Sequence, residues 1–348
     1  MHVLFLNFER SWRGGEQQIY HLAEYIEEKG GKAFIAYPKG EALRRFQKRF
    51  DCLELGKWPI RKLKKFCEEN KIEIVDANSS KAHTYAIFVK YFLPQLKLVV
   101  HRRIDKQVQW KNHWKYHSSL VDAYVCISSA VKKNLAVSGI DSSKLHIVAS
   151  GRKFFAKKES RTEYAEKWSL DANKIWVGIA AAFTAEKGHA DFLQVASKVL
   201  EKSDQYQFLL AGSGPLEKKF LQYENQNIRF LGYQEDIASF MSAIDIYFMP
   251  SQKEGLGTAF LDAILGEAVL VGSNTGGIPD IIEDGHTGYL VNKNDIDTAV
   301  KIILNYNAAE AEIIRQNAMR KFQKCFSLDA MCEGNYQVFS AVLSGKQP

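Results

Sequence analysis

Two carboxylates eight residues apart, Glu254 and Asp262, flank a glycine-rich turn in SQKEGLGTAFLDAI, residues 251–264. That pattern admits three chemistries: an acid–base pair, part of a metal site, or two hydrogen-bonding grips on a ligand rich in hydroxyls. Spacing alone does not choose, because a carboxylate near a helix start is also an ordinary dipole partner worth about 0.3–1 kcal/mol. Other residues narrow the choice. Lys187 and Gly188 follow the apolar run IWVGIAA and precede a helical pattern, so an ammonium stands where a helix N-terminus also favours phosphate. Gly212 and Gly214 in AGSGPL, Gly276 and Gly277 in SNTGGIP, and Gly14 and Gly15 in SWRGGEQQ each follow an apolar run too. Glycines there let backbone N–H groups approach an anion. Four such turns point to a ligand carrying a diphosphate.

Competing chemistries find little support. Asp295-Ile296-Asp297 opens a late helical pattern and reads as a cap and dipole partner. No His or Cys cluster has ligand spacing, so no metal is expected. The GxSxG elbow and the GxxxxGK[ST] phosphate loop are both absent.

The elements that must position these residues alternate in a regular way. HVLFLNF, KAFIAYP, IEIVDAN, KLVVHR, AYVCIS and KLHIVAS are short β-rich runs separated by helical or loop stretches. After a polar segment at 151–173, expected to be an interdomain connection, the alternation restarts with IWVGIAA, QFLLAG, NIRFLG, DIYFMP, AVLVGS and GYLV. This grammar predicts an α/β chain of two Rossmann-like, doubly wound domains facing across a cleft, with ligands at the carboxyl ends of the strands. The expected boundaries are residues 1–155, residues 170–320, and a C-terminal helical segment, 321–348.

Composition sets outer limits. The 348 residues suit two domains. No run approaches the ~18 apolar residues of a membrane span, and the N-terminal apolar run is too short for a signal peptide. Five scattered cysteines without a CxxC pair read as reduced thiols. The net charge of +7 is uneven: residues 43–65 hold nine Lys or Arg against two acids, and residues 101–117 add five more among Trp110, Trp114 and Tyr116. Such a face attracts phosphates, anionic lipid headgroups or nucleic acid, and composition does not choose among them.

The ordered pieces EKGH, AGSGPL, FLGYQEDI, DIYFMPSQKEGLGTAFLDA and TGGIPDIIEDGHTGYLV, preceded by SWRGGEQQ and CISSAVKKNLAVSGI, resemble the retaining glycosyltransferases of family 4 with the GT-B fold. The resemblance covers essentially the whole chain. It implies transfer of a sugar from a nucleotide-sugar donor with retention of configuration, without metal or cofactor. Glu254 and Asp262 then match the family's E-x7-E motif, the first on the donor sugar and the second on the ribose. Lys187 matches the diphosphate lysine, and Gly255, Leu256, Gly257 and Thr258 the backbone around the sugar–phosphate end. Gly14 and Gly15 match the first-domain phosphate loop, and Tyr233 lies where the family places the base. His101 is the candidate histidine near the reacting carbon, with His83 as runner-up. The final helix resembles the segment that crosses back onto the first domain.

The chain also departs from the family pattern. Ala182 stands where many members carry an arginine, and Arg10, Arg13, Arg102 or Arg103 could substitute. Asp262 replaces a glutamate, LGEAVLV lacks the usual proline, and VASGRK stands where an asparagine-glycine crossover is common. The implied acceptor is a glycan or glycolipid, such as lipopolysaccharide or another envelope glycan. Residues 43–65 and 101–117 are the expected contact with an anionic membrane, and nucleic acid is not an expected partner. The chain is expected in the cytoplasm, with peripheral attachment at the inner face of the membrane as a further expectation. A nucleotide-sugar hydrolase or epimerase on the same fold, and a non-catalytic nucleotide-sugar or nucleic-acid binding protein, are the alternatives.

Overall fold

The computed structural model describes residues 1–155 and 159–345. They form two compact units: residues 1–151 with the C-terminal segment from Leu328, and Arg152–Ser327. In the first unit, seven strands are β1 (His2–Leu6), β2 (Lys32–Pro38), β3 (Asp51–Leu55), β4 (Ile74–Ala77), β5 (Lys97–Arg102), β6 (Ala123–Cys126) and β7 (Leu145–Ile147). All pair in parallel, in the order β3-β2-β1-β4-β5-β6-β7. Val3, Leu4, Phe5 and Leu6 of β1 are fully buried, as a parallel strand covered on both faces requires.

The second unit repeats the plan with β8 (Ile175–Ala180), β9 (Tyr206–Ala211), β10 (Ile228–Gly232), β11 (Ile246–Met249), β12 (Val269–Ser273) and β13 (Tyr289–Val291). Their order is β10-β9-β8-β11-β12-β13, again parallel. The strand order therefore reverses between β1 and β4, and again between β8 and β11. At such a switch the loops after the two strands diverge to opposite faces of the sheet, which leaves an opening at their carboxyl ends.

The polar stretch 151–173 is not a plain connection. Arg161–Trp168 is a helix of the second unit. Ser160 Oγ accepts from the Glu163 amide at 3.2 Å while the Glu163 carboxylate accepts from the Ser160 amide at 2.7 Å, a reciprocal cap. Tyr164 is buried beside Trp176 and Phe240, and the Arg161 guanidinium lies 4.1 Å from the centre of the Trp176 ring. Two turns of helix with two buried residues carry too little apolar periodicity to be visible in the sequence.

The C-terminal region forms two helices, Ala308–Cys325 and Leu328–Ser344. The second packs within the first unit on the helix Gly14–Glu28, where the Tyr25 hydroxyl donates to the Glu333 carboxylate and Phe339 is fully buried. Met331 is also buried there.

His83 is a core residue of the first unit. Its ring meets Tyr116 and Tyr124 edge-on, at centroid distances of 4.9 and 6.0 Å. Burial, with the Lys115 charge second, pushes its pKa down from 6.5 to about 3. The folded state thus binds fewer protons than the unfolded chain. The associated stability is complete above pH 6.5 and is lost as pH falls towards 3. We expect the melting temperature to drop between pH 7 and 5, and His83→Phe to flatten that slope. An unchanged slope in the variant would remove His83 as its source.

Candidate functional site

The two loops at the β8/β11 switch bring Lys187 and Glu254 together. Lys187 Nζ lies 2.5 Å from Glu254 Oε1, and the buried Ser251 hydroxyl donates to the same oxygen at 3.1 Å. Glu254 is buried whereas Lys187 is partly open. A cation and a carboxylate meet at the one edge of the sheet where a parallel fold leaves an opening.

Backbone close approach makes this meeting possible. Gly188 has φ +74°, and a Cβ there would lie 1.9 Å from the Pro250 carbonyl oxygen. Gly276 has φ +55°, with its Cβ position 1.9 Å from the Glu254 carbonyl oxygen. Both demand glycine through conformation and through space. The same holds for Gly212, whose Cβ would sit 2.0 Å from the Ala181 carbonyl, and Gly214 is crowded by the Phe183 backbone at 2.7 Å. The glycine turns of the second unit therefore serve first to pack the loops against one another. Gly14 and Gly15 differ: a Cβ at either would meet nothing within 4 Å. Packing gives no reason for glycine at the start of that helix.

Gly257, at φ +90°, caps the helix Thr258–Leu265, with Leu256 buried just before it. The N–H groups of its first turn, from Thr258 onward, are the ones a helix leaves without internal acceptors. Asp262 lies one turn on, 15% exposed, with Oδ1 2.9 Å from Arg152 Nε. Burial pushes its carboxyl pKa up, and Arg152 opposes that rise. Tyr233, after β10, is 73% exposed and presents an open ring face. His189, the first residue of the helix His189–Leu200, stacks on Phe183 at 4.2 Å and is held neutral by burial, its pKa lowered to about 4. Asp295 caps the helix Ile296–Leu304, accepting from the Thr298 amide at 3.1 Å, and Asp297 pairs with Lys198 at 2.7 Å. Among the described residues no three His, Cys, Asp or Glu side chains gather to hold a metal.

In the first unit, His101 at the end of β5 lies 3.1 Å from Asp76 at the end of β4, both side chains buried. Asp76 Oδ2 accepts from Asn78 at 2.8 Å, and Arg103 donates to Gln18 at 2.5 Å and to Asn78 at 3.2 Å. Asn7 donates to Glu16 at 3.0 Å and to Tyr37 at 3.1 Å. This polar network under the strand ends was invisible to periodicity. The Asp-x-Asn at the end of IEIVDAN was its only trace.

Two family descriptions match this chain: Glycosyltransferase Family 4 over residues 12–152, and Glycosyl transferases group 1 over residues 160–321. The chain belongs to the family 4, group 1 glycosyltransferases. It is 28% identical over 156 residues to the N-acetyl-alpha-D-glucosaminyl L-malate synthase of Bacillus anthracis, covering 42% of this chain and 40% of that one. It is 23% identical over 204 residues to the capsular polysaccharide biosynthesis glycosyltransferase CapM of Staphylococcus aureus, covering 52% and 54%. The chain thus spans about half the length, or less, of these curated relatives. Among solved structures, Anabaena Alr3699/HepE in complex with UDP superposes with a TM-score of 0.86 at 17% identity, over 98% of this chain and 100% of that one. The two-domain α/β fold expected from the sequence is shared with that solved structure.

Of the four arginines weighed against Ala182, Arg103 is partly buried and tied to Gln18 and Asn78, and Arg102 donates to Tyr116 at 2.9 Å and to the Lys106 carbonyl at 2.8 Å. Arg10 and Arg13 are exposed. Sequence reasoning missed Arg152, whose only signal was the unusual VASGRK crossover.

The two kinds of glycine make a paired test by denaturant unfolding. Gly188→Ala should destabilise by more than about 1 kcal/mol, because Ala resists positive φ. Gly15→Ala should leave stability unchanged or raise it by about 0.5 kcal/mol, as Ala favours a helix over Gly. Equal losses at both positions would refute the distinction.

Proposed function

We propose that this chain is a retaining, metal-independent glycosyltransferase that moves a sugar from a nucleotide-sugar donor to a glycan or glycolipid acceptor. The observation that carries the reading is the Lys187–Glu254 pair at the β8/β11 switch. A donor diphosphate outcompetes Glu254 for the Lys187 ammonium, since it offers more charge. Glu254, held by Ser251, then accepts hydrogen bonds from the donor sugar's hydroxyls. The backbone from Gly255 to Thr258, at the start of its helix, supports the sugar–phosphate end. Asp262 accepts from the ribose, and the open face of Tyr233 stacks on the base. The Gly14–Gly15 turn, where no packing requires glycine, lets phosphate approach its backbone.

In the reaction the bond from the anomeric carbon to the diphosphate oxygen breaks, and its electron pair leaves with the diphosphate. Lys187 and the backbone N–H groups stabilise that charge. The acceptor hydroxyl attacks the same face, and its proton passes to the departing phosphate oxygen. No protein nucleophile takes part. His101, fixed against Asp76, is the first unit's candidate for contact with the reacting sugar.

The acceptor proposed is an envelope glycan or glycolipid. CapM's name places that relative in capsular polysaccharide biosynthesis. A surface of the first unit supports a membrane-associated acceptor. Trp58, Tyr91, Phe92, Trp110 and Trp114 are exposed on adjoining helices, and Lys115 pins the Trp110–Tyr116 segment to Ser80 at 2.8 Å. Exposed Arg61, Lys62 and Lys111 lie among them, although acids meet part of the 43–65 charge, as Arg45 with Glu41 and Arg49 with Glu27. Aromatic rings at an interface and lysines facing anionic headgroups bind such a surface together. Among the described residues no helix is long and apolar enough to cross a membrane.

A thermal-shift screen with UDP-, GDP- and ADP-sugars should show one that raises the transition. If none does, donor binding is refuted. With that donor, Lys187→Ala should lower kcat about 10²–10³-fold, and EDTA should leave the rate unchanged. Labelled sugar released only as free sugar in the presence of acceptor would establish hydrolysis instead. Flotation with anionic vesicles should be lost in Trp110→Ala/Trp114→Ala without change in the donor-induced shift. Flotation independent of anionic lipid would discard the membrane contact alone.

A further inference from the structure

Asp262 sits in a setting that a lone carboxylate does not tolerate. It is largely buried on the helix Thr258–Leu265, and its side chain is one methylene shorter than the glutamate it replaces. The charged and titratable groups facing it are Arg152 and Tyr247 from β11. Tyr247 donates to the Ala180 carbonyl at 3.2 Å, and among the described residues Arg152 is the cation against Asp262. Without that cation the buried acid would protonate or turn away.

Arg152 is well fixed for this task. Its amide donates to the Phe326 carbonyl at 2.9 Å, and its backbone bridges to Ser327 beyond the helix Ala308–Cys325. Among the described residues the contact runs from Arg152 Nε to Asp262 Oδ1. A carboxylate has about four lone-pair sites on two oxygens, so one Nε contact leaves acceptor capacity on Oδ2.

We propose that Arg152 is a positioning residue of the donor site: it holds Asp262 by Oδ1 and aims Oδ2 at a ribose hydroxyl. The inference rests on the reading of Asp262 as the ribose partner. In this chain the ribose grip is a two-residue unit, in which a fixed guanidinium compensates for the shorter acid.

Titration calorimetry on the whole protein can separate the two claims, using UDP, GDP and ADP with their 2′-deoxy analogues. Wild type should prefer one ribonucleotide over its deoxy form by about 10–100-fold, the range for a hydrogen bond to a charged group. Asp262→Asn should lose most of that preference. Arg152→Gln should lose it as well, and Arg152→Lys should fall between Gln and wild type. The double variant should be no worse than Asp262→Asn. If no nucleotide binds wild type, or Asp262→Asn keeps the full preference, the ribose reading itself is overturned. If Asp262→Asn loses the preference while Arg152→Gln keeps it, the positioning role is overturned and the ribose reading survives. Equal weakening of ribo and deoxy forms by Arg152→Gln would make Arg152 purely structural. Should Arg152→Gln fail to fold, Arg152→Lys decides: an intermediate preference supports positioning, and an unchanged preference overturns it.

Discussion

Two loops at the β8/β11 switch approach each other more closely than any side chain would allow, and the second unit is organised around that contact. Gly188 abuts the Pro250 carbonyl and Gly276 abuts the Glu254 carbonyl, both in the left-handed region that favours glycine. The approach sets Lys187 on the edge of the Glu254 carboxylate, with Ser251 completing the contact. The strands beneath are buried on both faces, so their carboxyl ends are rigid supports rather than adaptable ones. A site built there inherits its geometry from the sheet.

Charge in this protein is distributed by pairing. Lys187 meets Glu254, Arg152 meets Asp262, and Arg103 is enclosed by Gln18 and Asn78. Each cation is partly or wholly withdrawn from water, where an unpartnered charge would be costly. Position 182 is alanine, and among the described residues Arg152 places its guanidinium against Asp262.

The turn that opens the helix Gly14–Glu28 uses glycine differently. Gly14 and Gly15 begin a fifteen-residue helix where a methyl group would meet nothing. No packing contact within the fold accounts for glycine at these two positions. Beside that turn, Asn7 after β1 bonds Glu16 and Tyr37 of β2, and Asp76 near the end of β4 lies 3.1 Å from His101 near the end of β5. Buried polar groups of that kind hold a single arrangement because each partner would be expensive to strand.

The sequence by itself determined the architecture, because parallel strands write their burial as continuous apolar runs, and glycine marks several of the turns that follow. It also determined which loops hold Lys187, Glu254 and Asp262, through the ordered motifs EKGH and EGLGTAFLDA. Tertiary structure alone decided how those residues pair. Lys187 and Glu254 are 67 positions apart and Arg152 and Asp262 are 110 apart, and no periodicity carries a contact over such distances. The same limit hid the helix Arg161–Trp168, whose apolar side is two residues wide, and placed His83 inside a tyrosine cage that its local sequence does not reveal. Local patterns encode which face of an element is buried. Which side chains meet across that buried face depends on strand order and loop approach, and these exist only in the folded chain.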